Sequence, residues 1–262
     1  MKPGNLLSIL FLAFTLFATA QDPNRFKEQV DELVNQEYNF STNKKLVVFA
    51  GSSSIRMWKD VADYFPDFNV INNGFGGSHF SDLLYFYNQL ILKPAPEILF
   101  VYEGDNDIAS NKKPGKILKE AKQLAAKIQH DLPETHVVYI SPKPSIARVH
   151  LKNTYIKFNS KLEKYCKKHD NIEFADVWYP MLDNKGNVFK DVFLEDGLHM
   201  NKKGYDIWGK VIGGFLKKWN WFYGLFKPQI HRFILELNLW ICGNNINFKI
   251  NHIPWNQNYC LY

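Results

Sequence analysis

An aspartate and a histidine three residues apart, Asp196 and His199, stand in the stretch "FLEDGLHMNKKGYDIW". At this spacing a carboxylate can bind one ring nitrogen of the imidazole and leave the other nitrogen facing a third group. A serine hydroxyl is a weak nucleophile that needs such an oriented base. The pair therefore indicates serine nucleophilic catalysis, although a D-x-x-H pair alone is also common on protein surfaces.

Three candidate nucleophiles, Ser52, Ser53 and Ser54, follow a β-branched and apolar run in "VVFAGSSSIRMW". The residues after Gly51 read as a turn into a helix. Small polar residues also suit turns without any catalytic role. The serines become informative only together with a base and with donors for an oxyanion.

Acyl transfer needs hydrogen-bond donors for the oxygen of the tetrahedral intermediate. Gly77, in "NNGFGGSH", could offer an unobstructed backbone N–H. Asn106, in "YEGDNDIA", could offer its side-chain amide, and the nucleophile its own N–H. Each candidate follows an apolar run, so turn chemistry again explains each one singly.

Short apolar runs alternate with amphipathic stretches between these groups. Near-continuous apolar runs indicate strands covered on both faces, as in parallel sheets. The alternation predicts a three-layer α/β/α sandwich, and ligands of such sheets bind at the carboxyl ends of the strands. The predicted strands are 45–51, 68–75, 97–104, 136–142 and 171–178, and the predicted helices are 114–131, 151–169 and 202–219.

Four blocks in order, "GSSS", "NGFGGS", "GDND" and "DGLH", resemble the SGNH hydrolases, the GDSL-type lipase and esterase superfamily, over roughly residues 45–215. The resemblance implies a flavodoxin-like fold with a five-stranded, mostly parallel sheet. It also implies a serine esterase that forms an acyl-enzyme without a metal or organic cofactor. Ser53 would be the nucleophile, His199 the general base and Asp196 its orienting acid. Ser53, Gly77 and Asn106 would form the oxyanion hole.

One position departs from the family pattern, because Ser52 stands where an acidic residue usually precedes the nucleophile. The change removes a charge beside the site and leaves the nucleophile, base and oxyanion donors in place. Register with the block favours Ser53 over Ser52 and Ser54.

The ends of the chain differ from its middle. Residues 1–20 have the lysine, short apolar core and A-x-A ending of a signal peptide, which predicts export to the periplasm or the cell exterior. Residues 21–219 are the predicted hydrolase domain, and 220–262 an aromatic, Asn-rich extension of open role. Three cysteines give no disulfide framework, although Cys242 and Cys260 could pair.

The partner expected from these features is a small-molecule or glycan ester, and the oligomeric state is left open. The net charge of +6 comes from scattered lysines, which argues against nucleic acid, and no membrane span is expected after signal cleavage. O-acetyl groups on carbohydrates are the favoured substrate, with lysophospholipids and thioesters as alternatives. Two rival classes are an inactive glycan-binding protein on the same fold and a metal-dependent phosphoesterase using Asp105, Asp107 and His199. Lys143 and Arg148 are expected in solvent, and His79 in the pocket or on the surface.

Overall fold

The computed structural model of the chain describes residues 22–219. The predicted signal peptide at 1–20, the extension at 220–262 and the Cys242–Cys260 pair lie outside these residues. Within them, Cys166 is a free and buried thiol.

Five strands form one sheet in the order β2-β1-β3-β4-β5, and all four neighbouring pairs are parallel. This is the strand order of flavodoxin-like sheets. The five predicted strands are confirmed, with ends up to three residues shorter than the apolar runs. They are β1 (Leu46–Gly51), β2 (Asn69–Gly74), β3 (Ile98–Tyr102), β4 (His136–Ile140) and β5 (Ile172–Ala175).

The helices include the three predicted long ones and several short ones. Helices of four to eight residues hold too little periodicity to be read from sequence. None of the helices within residues 22–219 has both the length and the apolarity needed to cross a bilayer. The helices are α1 (Lys27–Val34), α2 (Ser53–Arg56), α3 (Val61–Tyr64), α4 (Phe80–Tyr85), α5 (Asp105–Ala109), α6 (Pro114–Asp131), α7 (Lys152–Cys166) and α8 (202–219).

Alternate residues of each strand enter two separate cores, one on each face of the sheet. In β1, Val48 and Ala50 pack with α1, α4, α6 and α7, whereas Val47 and Phe49 pack with α2, α3 and α8. Burial on both faces explains why the strands read as continuous apolar runs. The three-layer α/β/α architecture expected from the sequence is confirmed.

The carboxyl ends of the three neighbouring strands β2, β1 and β3 lie level, because Gly51 pairs with both Gly74 and Tyr102. Gly51 has a φ of +138°, and a Cβ there would lie 2.0 Å from the Tyr102 carbonyl oxygen. Only glycine allows this approach. Ser52 N then donates to the same oxygen at 3.0 Å, which directs Ser53 into the first turn of α2 at this edge of the sheet.

His79 begins α4, and the expectation that it lines the pocket or lies on the surface is wrong. It is buried and forms a capping box with Asp82, whose Oδ2 accepts from His79 N at 2.9 Å. Burial, and next the Lys112 cation, lower the pKa of His79 to about 4. A neutral imidazole fits this position, because the side chain accepts a backbone N–H there.

We expect Gly51→Ala to lower the free energy of unfolding by about 3 kcal/mol or more, because it adds a strained positive φ and a backbone clash. Urea unfolding measures the loss. Gly115→Ala is the matched control, since its Cβ meets nothing within 4 Å and alanine favours the helix. A Gly51→Ala protein as stable as its parent would contradict the close approach.

Acidification is expected to destabilise the fold through His79. Its folded pKa of about 4 lies below its ordinary value of 6.5, so the unfolded chain binds more protons between these pH values. Stability therefore falls as the pH drops through this window, by up to about 3 kcal/mol. His79→Asn keeps an N-cap acceptor that does not titrate. Thermal unfolding from pH 7 to 4 should show a smaller loss for this variant, and parallel curves would refute the assignment.

Candidate active site

The loop after β5 holds Asp196 and His199 on a closed backbone turn. Phe193 and Met200 form an isolated antiparallel bridge at its base. Gly197 has a φ of +61°, a value that glycine adopts without strain, and it lets the loop turn between the two functional residues. Asp196 and His199 therefore lie three residues apart within one tight loop.

Both oxygens of the Asp196 carboxylate accept hydrogen bonds within this loop. Oδ1 accepts from the backbone N–H groups of Leu198 and His199, each at 2.9 Å. Oδ2 lies 2.6 Å from His199 Nδ1. Desolvation alone would raise the pKa of Asp196, but the hydrogen bonds from the His199 ring and from the two N–H groups outweigh it and lower the pKa to about 2. Asp196 is therefore an anion at any ordinary pH.

Ser53 meets the other nitrogen of the same imidazole. Its Oγ lies 3.0 Å from His199 Nε2, although the two residues are 146 positions apart in sequence. With the Nδ1 proton directed at Asp196, Nε2 presents a lone pair to the serine hydroxyl. A hydroxyl, an imidazole and a carboxylate in this order can carry out acyl transfer.

The neighbouring serines face other partners. Ser52 is 1% exposed, and its Oγ accepts from Asn106 Nδ2 at 2.7 Å. Ser54 is equally buried, and its carbonyl accepts from Tyr205 OH at 3.0 Å. Of the three serines, Ser53 alone hydrogen-bonds His199.

Asn106 lies in the first turn of α5, which begins after Gly104 at a φ of +104°. Its Nδ2 donates to Ser52 Oγ and, at 3.0 Å, to the Ser78 carbonyl. Its Oδ1 accepts from Arg148 Nη2 at 3.1 Å. The amide nitrogen thus faces the segments after β1 and β2.

Gly77 is the exposed residue of an otherwise largely buried loop between β2 and α4, with a φ of +76° and no atom within 4 Å of a hypothetical Cβ. Within residues 22–219 its N–H has no hydrogen-bond acceptor. The Ser53 N–H, in the first turn of α2, likewise has no intrahelical partner. The loop lies against Asn106 through the adjacent Ser78 carbonyl. No hydrogen bond joins Gly77 to Ser53.

Lys143 and Arg148 are not solvated, so that expectation is wrong. Lys143 is 1% exposed, and its Nζ lies 3.6 Å from Asp105 Oδ2. Arg148 Nη1 donates to Asp105 Oδ1 at 2.7 Å. Sequence reasoning missed this cluster, and its signal was the pair of aspartates, Asp105 and Asp107, directly after a buried strand, because buried carboxylates need nearby cations.

A further buried acid, Glu103, supports the Gly77 loop. Ser78 Oγ donates to Glu103 Oε1 at 2.6 Å. Burial, and next the nearby Asp107 carboxylate, raise the pKa of Glu103 well above its usual range. Ser78 therefore bonds Glu103 through its side chain and Asn106 through its carbonyl.

The two aspartates that a metal-dependent phosphoesterase would use as metal ligands are each paired with a cation. Asp105 binds Arg148, and Asp107 binds Lys112. In the described part of the chain, no group of three His, Cys, Asp or Glu side chains is placed to hold a metal ion. Asp105, Asp107 and His199 therefore do not form the site that this rival requires.

A cavity of about 270 Å³ lies beside the site, with mostly apolar walls. Arg148 connects the two places, because it lines the cavity and also contacts Asn106. Ser53 and His199 are not among the lining residues. The walls include Ile146, Val149, Trp178, Leu182 and Val188.

Solved structures share this fold at low sequence identity. A Streptococcus pneumoniae protein described as a platelet activating factor is 19% identical, with a TM-score of 0.64 over 74% of this chain and 92% of its own. A GDSL-like lipase from Bacteroides thetaiotaomicron is 20% identical, with a TM-score of 0.61 over 75% and 98%. A catalytic mutant of an acetylxylan esterase from Geobacillus stearothermophilus is 12% identical, with a TM-score of 0.56 over 64% and 92%.

No curated protein gives a significant match to the sequence. Residues 46–207, in contrast, match the model of the GDSL-like lipase/acylhydrolase family. The matched span is more than half of the chain, and it contains Ser53, Gly77, Asn106, Asp196 and His199. The chain therefore belongs to the GDSL-like lipase/acylhydrolase family and is a carboxylic ester hydrolase.

Proposed function

We propose that the protein is an exported serine esterase that removes short acyl groups, foremost O-acetyl groups of carbohydrates, through an acyl-enzyme. The observation that carries the chemistry is the chain of hydrogen bonds from Asp196 through His199 to Ser53 Oγ. Its geometry supports Ser53 as nucleophile, His199 as general base and Asp196 as the orienting carboxylate.

Each half of the reaction moves one proton through His199. Nε2 takes the Ser53 hydroxyl proton as Oγ attacks the ester carbonyl carbon, and the imidazolium is stabilised by Asp196. The tetrahedral intermediate collapses, and Nε2 protonates the departing alkoxide to give the alcohol. Water then attacks the acyl carbon of the Ser53 ester while Nε2 takes one of its protons. The second tetrahedral intermediate collapses as Nε2 returns that proton to Ser53 Oγ, which releases the carboxylic acid and restores the free serine.

The oxyanion would be held by Ser53 N–H, Gly77 N–H and Asn106 Nδ2. The Asn106 N–H that reaches Ser52 Oγ would be shared with the oxyanion or redirected to it. A neutral hydroxyl is a weaker acceptor than a carboxylate. Serine at position 52 in place of the family's usual acid therefore favours release of this donor to the substrate.

The preference for a short acyl group is supported by the walls of the neighbouring cavity, which include neither Ser53 nor His199. An acetyl group needs no deep pocket at the nucleophile. The acetylxylan esterase among the structural neighbours supports a carbohydrate acetyl ester by analogy of fold alone. Stacking of sugars on tryptophan faces lends no support, because Trp58, Trp178 and Trp208 are buried. Export remains part of the proposal on the strength of the leader at 1–20.

We expect Ser53→Ala to lower kcat for p-nitrophenyl acetate by roughly 10⁴-fold or more, because among residues 22–219 no other hydroxyl hydrogen-bonds the His199 ring. Ser54→Ala, one residue along and without contact to His199, is the matched control and should keep the parent kcat. A fluorophosphonate should label the parent protein on Ser53, as read by peptide mass spectrometry. Unimpaired turnover by Ser53→Ala would end the assignment, and absence of labelling and turnover in the parent would favour the inactive glycan-binding protein.

Among p-nitrophenyl esters of increasing acyl length, kcat/KM is expected to be highest for acetate. Acetylated xylo-oligosaccharides should release acetate, measured by chromatography, because an acetyl group needs no deep acyl pocket. Lysophospholipids and acyl thioesters serve as competing substrates, and Ser53→Ala supplies the background rate. Higher kcat/KM for octanoate or for a lysophospholipid would exclude the acetyl esterase and favour the lipid-directed alternative.

A further inference from the structure

Three charged side chains lie together on the Oδ1 side of the Asn106 amide, after the carboxyl ends of β3 and β4. They are Asp105, Lys143 and Arg148, here called the Asp105 cluster. Lys143 is 1% and Asp105 5% exposed, and the Arg148 side chain is 18% exposed. Burial of charges is costly unless they are paired and hydrogen-bonded. The mechanism above uses none of these three groups.

Tyrosines and cations fix the carboxylate of Asp105 from several sides. Tyr102 OH donates to Oδ2 at 3.0 Å, and Tyr155 OH donates to Oδ1. Burial alone would raise the pKa of Asp105, but Lys143 and then Arg148 outweigh it and lower the pKa. Asp105 is thus a rigid anion against which the guanidinium of Arg148 is held.

The guanidinium spans two consecutive residues of α5. Nη1 binds Asp105 Oδ1 at 2.7 Å, while Nη2 donates to Asn106 Oδ1 at 3.1 Å. The planar fork of arginine suits two acceptors at once, whereas a lysine ammonium lacks this geometry.

The contact with Oδ1 has two effects on the Asn106 amide. It fixes which end of the amide faces Arg148, so Nδ2 must face Ser52 and Ser78. It also draws electron density toward the oxygen, which strengthens the N–H donors at the other end of the same amide.

We propose that Arg148, held by Asp105, is a positioning residue that orients and polarises the Asn106 amide for the oxyanion. The inference rests on the proposed function, because it assigns Asn106 a part in ester hydrolysis. Arg148 acts through Asn106 and does not touch the reacting atoms.

A rival role for Arg148 is direct binding of an anionic part of the substrate, because Arg148 also lines the neighbouring cavity. The two roles predict changes in different kinetic constants. A lost substrate contact raises KM, whereas a misplaced oxyanion donor lowers kcat. Lys152 lines the same cavity, and its Nζ donates to the Gly186 carbonyl at 3.3 Å. Lys152→Gln therefore removes a cavity cation without disturbing Asn106.

The test is a double-mutant cycle on p-nitrophenyl acetate with Arg148→Gln, Asn106→Ala and the combined variant. Arg148→Gln should lower kcat by about tenfold to a hundredfold, less than Asn106→Ala, with KM nearly unchanged. In the Asn106→Ala background, Arg148→Gln should cost less than about twofold, because the group through which it acts is gone. Lys152→Gln should keep both kcat and KM of the parent.

Arg148→Gln leaves a buried carboxylate with one partner fewer, so folding is checked by thermal unfolding of every variant. If Arg148→Gln unfolds, Arg148→Lys takes its place in the cycle, because lysine keeps a cation beside Asp105 but lacks the planar fork that reaches Asn106 as well. Because p-nitrophenyl acetate carries no anionic group, an Arg148 that only binds a substrate anion would leave kcat and KM for this ester unchanged. That result would overturn the inference, as would equal losses of kcat with and without Asn106 or a raised KM at unchanged kcat. A parent protein that neither hydrolyses esters nor is labelled on Ser53 would instead refute the proposed function, and the inference with it.

Discussion

The hydrogen bond between Ser53 Oγ and His199 Nε2 joins residues 146 positions apart, and the rest of the site is arranged around it. Its formation requires that the segments after β1 and β5 meet at one edge of the sheet. The register of β1 with β2 and β3 sets this edge, since Gly51 lies level with Gly74 and Tyr102. The backbone pairing of β1 with its neighbours, which precedes Ser53 in the sequence, therefore determines which side chains Ser53 can contact.

The fold was predictable because its physical signals are local. A strand buried on both faces is apolar nearly throughout, as the three central strands β1, β3 and β4 are, and the shorter apolar runs of the sequence are the edge strands β2 and β5. Helix α6 was predicted at its observed bounds, because its buried face repeats at helical spacing over eighteen residues. The Asp196–His199 pair and the serine turn were predictable for the same reason, because each depends on residues close in sequence.

The environment of Asn106 was not predictable, because it depends on residues that only the tertiary structure brings together. Lys143 and Arg148 follow a different strand from Asp105, and nothing local distinguishes them from solvated cations. His79 was likewise ambiguous, because its role as a cap depends on where α4 begins. Isolated charges avoid burial, so Asp105 and Asp107 directly after a buried strand imply counter-charges. The sequence alone does not say which cations supply them.

The donor and acceptor groups of this site are held by bonds that leave little freedom. The Asn106 amide has partners at both ends, and the Ser78 carbonyl that it meets belongs to a residue whose hydroxyl bonds the buried Glu103. Hydrogen bonds at both ends of the amide restrict its rotation. Such rigidity suits groups that must stabilise charge without rearranging at the moment of reaction.

The 146-residue separation of Ser53 and His199 also has a consequence for the order in which the molecule is made. The ribosome synthesises the serine long before the imidazole, and the tight loop that carries the imidazole closes only after β5 has emerged. A partly synthesised chain therefore carries an ordinary, unactivated hydroxyl. Reactivity toward the esters of the producing cell arises only when nearly the whole α/β unit has folded.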